Sequence, residues 1–385
     1  MPAKTYKHLT IPAFLMAAWT ALILPAPALA GETVQGPRPQ AMDDRWLINP
    51  PGIRVETWVS GLKAPWSLAF LPDGRALVSE RQGRIRLIGR GGKVRTLLSF
   101  SILEDDESGL MGLAVDPRFP RQPYIYAMYT WREGGRRGNA VFRFTLKGQR
   151  MENDRLIVRN IPAGDNHNGG RIQFGPDGML YVGTGDTWRR QLAQRPESLA
   201  GKILRVGPDG SIPKDNPFPG SPVWSLGHRN VQGLAFEPGT GRLFATEHGP
   251  SGEVGFGAYD EVNVIERGAN YGWPLVAGAP SRRGLVDPIV AWPEVATPPS
   301  GAAFWRGDLY IATLGSQALV RIVLKGGRVA GIERWFNDGD DNRYGRLRDA
   351  VRGPDGALYV LTGNRDWRGS DPDPDDDRIL RITAD

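Results

Sequence analysis

The chain has 385 residues, 48 Lys and Arg against 42 Asp and Glu, a formal net charge of +6, and no cysteine. The missing cysteine excludes disulfides, thiol catalysis and zinc–thiolate sites. Basic and acidic residues are interspersed rather than gathered into the basic face that nucleic-acid binding needs.

Residues 1–30 read as an export signal. Lys4 and Lys7 make a basic start, an apolar core follows, and Ala28-Leu29-Ala30 is a small-x-small cleavage site. Pro25 and Pro27 interrupt the apolar core, which is too short for a comfortable membrane span, and no later segment is apolar enough to be one. The expectation is a soluble protein, periplasmic or secreted, cleaved after Ala30. Residues 31–50 are polar and proline-containing and are expected to form a flexible lead-in, with residues 51–385 as one folded domain.

From residue 53 onward, short apolar strands alternate with Gly, Pro and Asp turns, in keeping with 50 Gly and 32 Pro in the chain. One pattern (strand, turn, strand, strand) opens at Trp66 and recurs near residues 110, 170, 231, 301 and 348, at intervals of about 44 to 70 residues. Six units of antiparallel strands, none able to bury both faces alone, predict an all-β six-bladed propeller with four-stranded antiparallel blades. A stacked sandwich is the competing architecture. Residues 53–59 form a strand outside the six copies and are expected to complete the last blade, joining the ends of the ring. The unequal spacing comes from insertions at 184–200, 207–230, 247–260 and 266–300, and long loops on a rigid scaffold are where function concentrates. An acidic run at 371–377 lacks the Gly and terminal Glu of an EF-hand and reads as a solvated acidic loop.

The stretch 165–186 is the most informative. Gly175-Pro176-Asp177-Gly178 is a turn in which Pro sets φ and Gly supplies positive φ, joining strands at 171–174 and 179–182. That hairpin does not explain His167, which stands among small polar residues just before the first strand. The other unusual residues fall in the insertions: His228-Arg229-Asn230, Glu247-His248-Gly249-Pro250, Asp260-Glu261-Val262-Asn263, a run from Asn270 to Pro274, and Arg346-Leu347-Arg348.

With these motifs the chain resembles the soluble quinoprotein glucose/sorbosone dehydrogenases, which use pyrroloquinoline quinone (PQQ), over about residues 53–383. His-x-x-Gly-Arg (167–171), Gly-x-Arg-Asn-x-Gln-Gly (227–233), Glu-x-Gly-Pro (247–250), Asp-Glu-x-Asn (260–263) and Asn-Tyr-Gly-Trp-Pro (270–274) occur in the family's order. The resemblance implies a six-bladed propeller that oxidises the C1 hydroxyl of aldose sugars to lactones, with electrons passing to an external acceptor. On it, His167 matches the general base that takes the hydroxyl proton while hydride leaves C1 for the C5 carbonyl of PQQ. Arg229 matches the cation beside the quinone oxygen, and Asn230 and Gln232 match positions lining the cofactor. Arg346 and Arg348, two residues apart on one strand face, are placed to pair with the PQQ carboxylates. The resemblance also implies Ca²⁺ on the carbonyls of Gly249 and Pro250, where it polarises the quinone, and a second, structural Ca²⁺ at Glu261 and Tyr271. Trp292 matches a tryptophan near the sugar.

Three positions depart from the family pattern. Gly315 stands where a Lys beside the quinone is expected, leaving Arg321 or an Arg from a neighbouring loop to replace it. Glu107 stands in place of Gln, and Asn166 in place of the Asp before the base; both bear on sugar choice. Two other functional classes suit the same ring: a non-redox propeller binding a glycan or protein partner, and a propeller lactonase, which would want several carboxylates converging on the central channel.

Overall fold

The computed structural model describes residues 33–39, 43–251, 257–366, 368–369 and 372–384. The expected export signal, residues 1–30, lies outside them. Six four-stranded antiparallel sheets follow one another along the chain, the fifth widened by a parallel fifth strand. Their first strands, Pro65–Phe70, Leu110–Val115, Gly169–Phe174, Val231–Phe236, Pro299–Trp305 and Leu347–Arg352, each touch the next, and the last touches the first. This closed inner ring is the six-bladed propeller that the repeat predicts. Ile53–Val59 pairs antiparallel with Ile379–Ala384, so blade six takes its outer strand from the beginning of the domain and its other three from the end.

The blades are held by apolar side chains filling the wedges between neighbouring sheets. Trp58, Phe70 and Tyr359 meet edge-on and stacked between blades six and one. Tyr126 against Phe174 joins blades two and three, and Phe244 against Phe304 joins four and five. Aromatic pairs of this kind add to what their buried area contributes.

Two expectations need correction. The lead-in is not a free segment in its described part: Val34–Gln35 pairs in parallel with Val276–Ala277, and Asp44–Leu47 forms the extra strand on blade five. Arg334, 1% exposed, makes two bonds to the Asp44 carboxylate and lies over Trp46, so a segment polar in composition is pinned by charge and stacking. The acidic run is not wholly solvated either. Asp376 and Asp377 are buried; Asp377 accepts N–H bonds from Ala64 and Asn364, and Asp376 is paired with Arg378. Buried carboxylates persist where backbone and arginine donors replace water.

Ring closure by the first strand has a direct consequence. A chain lacking residues 1–60 leaves Ile379–Ala384 as an unpaired edge and strips the cover from Tyr359. Expected is loss of the single cooperative thermal transition together with aggregation on size-exclusion chromatography; a monomer with unchanged melting would show that the strand is dispensable.

Candidate active site

Antiparallel pairing brings the start of each blade's first strand to the same end of the ring as the end of its second. Residues from both places therefore meet there. They line a cup of about 360 Å³: Trp66, Glu107, His167, Arg229, Arg346 and Arg348 from the approaches to first strands, and Arg81, Trp188, His248, Leu314 and Arg368 from the loops after second strands. Below it Arg171 spans the channel. Its guanidinium lies over Trp66, donates Nε–H to the Gln232 carbonyl at 2.9 Å and pairs with Asp349 at 2.9 Å, tying blades three, four and six together.

His167 is fixed from three sides. Its backbone has φ +56°, a left-handed conformation uncommon outside glycine, and its N–H donates to Glu107 Oε2 at 2.9 Å. Its Nδ1 lies 2.7 Å from Asp186 Oδ1. Asp186 is fully buried and also accepts Trp273 Nε1–H at 2.7 Å and the Trp188 backbone N–H at 2.9 Å. A carboxylate can only accept here, so Nδ1 carries a proton and Nε2 is the ring nitrogen left to exchange one. The third side is Trp188, whose ring stacks on the imidazole at 4.3 Å.

Arg229 lies against the same indole, 5.9 Å from its centroid, which bounds the imidazole–guanidinium separation at about 10 Å. Its backbone N–H donates to Glu247 Oε2 and its Nη1 to the His248 carbonyl. Opposite stand the two arginines of blade six. Arg348 is bonded to Gln232 Oε1 and to Asp366, which Arg81 shares. Arg346 has no ion pair among the described residues and its buried Nε has no partner; burial, then Arg348 beside it, pushes its pKa down to about 10. His248 also lines the cup, with Nε2 buried and unpartnered. Burial and the nearby Arg229 and Arg348 hold its pKa well below the usual imidazole range, so it is neutral.

The expected site residues divide into two groups. His167, Asn166, Glu107, Arg229, Gln232, Gly249, Arg346 and Arg348 line the cup, with Gly315 and Leu314 on its rim. Asn230 does not: it is fully buried behind the wall, where its Oδ1 accepts the Gly169 N–H, because the first-strand start needs that donor satisfied. Pro250 is buried next to Gly249 without lining the cup. Trp292, expected near the sugar, is 0% exposed in the core between blades four and five, packed there because strand Val290–Trp292 turns it inward. Arg321 cannot replace the absent lysine, since Asp308 and Glu333 hold it on blade five; Arg368, bonded to Asn166, is the neighbouring-loop arginine that reaches the cup. Glu261 and Tyr271 lie outside it. The Tyr271 hydroxyl donates to the Val264 carbonyl and accepts the Glu266 N–H, so only its backbone remains for a cation. Glu261 is paired across the sheet with Glu247, and burial and Glu247 push its carboxyl well above the ordinary range.

The residues not foreseen are Asp186, Trp188, His248, Arg81 and Asp366. Asp186 closes the stretch that carries His167, and its signal was an acid directly after a buried strand. Arg81 and Asp366 sit after second strands in blades one and six, an equivalence that only the closed ring makes visible.

The loop 185–201 that carries Trp188 is clamped from beneath. Lys202 is fully buried, and its Nζ donates to the carbonyls of Leu192, Ala193 and Ala200 at 2.8 to 2.9 Å. Burial pulls its pKa down to about 7, while three acceptors around three N–H donors favour the ammonium.

A histidine whose Nδ1 is held by a buried carboxylate faces an arginine-lined cup inside a six-bladed ring, the arrangement of a propeller enzyme. The sequence profile of the glucose/sorbosone dehydrogenase family matches residues 62–369, and the chain belongs to that family. It is 32% identical over 347 residues to an aldose sugar dehydrogenase of Escherichia coli, covering 81% of this chain and 91% of that one. It is 34% identical over 255 residues to quinoprotein glucose dehydrogenase B of Acinetobacter calcoaceticus, covering 57% and 52%. Among solved structures, the PQQ-bound aldose sugar dehydrogenase of Streptomyces coelicolor superposes with a TM-score of 0.77 at 39% identity, covering 87% of this chain and 99% of that one.

The clamp is testable by itself. Lys202→Met leaves the Ala200 carbonyl without a donor and takes one donor each from Leu192 and Ala193, whose carbonyls keep the N–H groups of Arg195 and Gly227. It is expected to cost on the order of 2 kcal/mol, read as a lower urea midpoint with unchanged slope. An unaltered midpoint would remove Lys202 as the loop's anchor.

Proposed function

We propose that this chain is a PQQ- and Ca²⁺-dependent dehydrogenase that oxidises the C1 hydroxyl of aldose sugars to lactones and passes the electrons to an external acceptor, in an exported form. The observation that carries the proposal is the convergence of the His167–Asp186 pair and Arg229 on one cup whose opposite wall holds Arg346 short of negative charge. Among the described residues no helix is long and apolar enough to cross a membrane.

The residues present suit a polycarboxylate cofactor. Arg346 has a buried Nε without a partner, Arg348 has one acid shared with Arg81, and His248 offers a neutral ring nitrogen. Arg346 and Arg348 would hold carboxylates of PQQ, with Gln232 keeping Arg348 in line. The carbonyls of Gly249 and Pro250 would hold Ca²⁺. The turn is held for this by Asp260, whose buried carboxylate accepts the Gly249 N–H. When bound, PQQ supplies the hydride acceptor and Ca²⁺ the Lewis acid.

The chain's own part is proton handling and placement. His167 Nε2 takes the proton of the C1 hydroxyl, and the imidazolium formed is held by Asp186, to which Nδ1–H already points. Arg229 supplies fixed positive charge where negative charge develops, and its bond to the His248 carbonyl keeps it from swinging toward solvent. Glu107 fixes the His167 backbone and, with Asn166, faces the sugar. The second Ca²⁺ would sit at Glu261, where a buried carboxyl beside Glu247 and an unpartnered Asn263 Oδ1 call for a cation.

The assignment is tested by adding PQQ, Ca²⁺ and an aldose to the purified protein with a redox dye. Bleaching is expected; a quinone absorbance unchanged on titration would favour a non-redox binding propeller, and lactone hydrolysis without PQQ a lactonase. His167→Ala is expected to lower turnover by roughly 10²- to 10⁴-fold with PQQ still bound, whereas an unchanged rate removes it as the base. Arg346→Ala is expected to weaken PQQ binding by roughly 10- to 100-fold, the value of one charge-assisted contact, seen by absorbance titration. Gly315→Lys is expected to tighten PQQ binding, since the new Cβ meets only the Pro298 ring at 3.0 Å; unaltered affinity would show that Arg368 already supplies that charge.

A further inference from the structure

We propose that Trp188 is the platform on which the sugar ring lies, its indole presenting an apolar surface to the axial C–H face of an aldopyranose while the C1 hydroxyl meets His167. This inference rests on the sugar-oxidation reading above and adds a specificity-determining residue to it.

Trp188 is the largest side chain among the exposed apolar residues, 51% open, and it lines the cup rather than an outer surface. Its ring belongs to none of the apolar clusters between the blades. Its backbone is costly: Thr187 and Trp188 have φ of +55° and +63°, two consecutive left-handed positions that bulky residues rarely adopt. Such strain persists when its surroundings over-determine it, and it gathers at ligand sites.

Here the surroundings do so. Asp186 Oδ1 receives both the Trp188 N–H and Nδ1 of His167, so one oxygen sets the height of the indole and the orientation of the base. The Thr187 N–H donates to the His167 carbonyl, Arg189 is bonded to the Thr187 hydroxyl, and Lys202 holds the far end of the loop. The platform and the base are one rigid unit, which lowers the ordering cost when a ligand lands on it. The cup supplies charged and polar groups for sugar hydroxyls, and of its large apolar side chains Trp66 and Leu314 are buried while this indole is half open, so it is the surface available to a sugar's apolar face. The imidazole covers part of one indole face at 4.3 Å, so a sugar on the remaining surface lies within one ring's width of the base.

The test uses the full chain with Trp188→Ala and Trp188→Phe. With PQQ and Ca²⁺ loaded, Trp188→Ala is expected to lower kcat/KM for aldopyranoses by roughly 10- to 100-fold, the scale of a ring stacked on an aromatic face, carried mainly by KM and largely restored in Trp188→Phe. Independently of turnover, saturation-transfer NMR of glucose with the cofactor-free protein is expected to mark the axial ring protons, with the signal lost in Trp188→Ala. A kcat loss with KM unchanged and the acid limb of the pH–rate profile displaced would overturn the proposal, making Trp188 only a cover for the imidazole. So would equal saturation transfer in wild type and Trp188→Ala. If the wild type never reduces dye but still shows Trp188-dependent transfer to the ring protons, the platform stands and the dehydrogenase reading falls.

Discussion

Everything in the site depends on the ring being closed. The inner strands form a continuous circle, and Ile53–Val59 locks its ends by supplying the outer strand of the blade whose other three strands come last in the chain. With that bond made, every first strand starts, and every second strand ends, at one mouth, and twelve short approaches are gathered around a single axis. No two of the cup's principal groups need be near in sequence: Glu107, His167, Arg229 and Arg346 come from four different inter-strand segments. A sandwich built from the same strands would scatter them.

Within that frame, a single buried carboxylate sets the chemistry. Asp186 takes donors from His167, Trp188 and Trp273, three residues from three separate turns, and in doing so sets the imidazole tautomer. The opposite wall is built on the contrary principle. Its arginines are left short of acids, with Asp366 divided between Arg81 and Arg348 and none assigned to Arg346. One side is satisfied internally; the other carries positive charge with few acids to balance it. That asymmetry distinguishes the cup from the Arg171–Asp349 pair beneath it, where a guanidinium and a carboxylate meet directly and serve the ring.

The places where expectation and structure part have a common physical origin. Trp292 matches a motif position, but strand alternation turned it into the core, and a period of two does not reveal which face is inward until the neighbouring blade is known. Asn230 and Tyr271 carry polar atoms that nearby backbone groups claim before any ligand does. The lead-in and the acidic run looked solvated by composition, yet Arg334 and Arg378, remote or adjacent in sequence, neutralise them where they fold back. For Trp292, Asn230 and the lead-in the deciding partner was a tertiary neighbour, whereas Tyr271 and Asp376 meet theirs nearby in sequence.

By itself the sequence determined the number of blades, the strand that completes the ring and the residues most able to move a proton or hold an anion, because strand periodicity, turn chemistry and residue type are local properties. It could also place His167 in a loop before a strand, since Gly and Asn flank it there. Only the tertiary structure decided that Asp186 backs the imidazole, that Trp188 lies open across it, and that Arg346 lacks a counter-charge. Those are statements about distance and burial: the first two are made within blade three, where Gly169 pairs with Thr184, and the last needs the closed ring that brings the arginines of blade six to the same mouth.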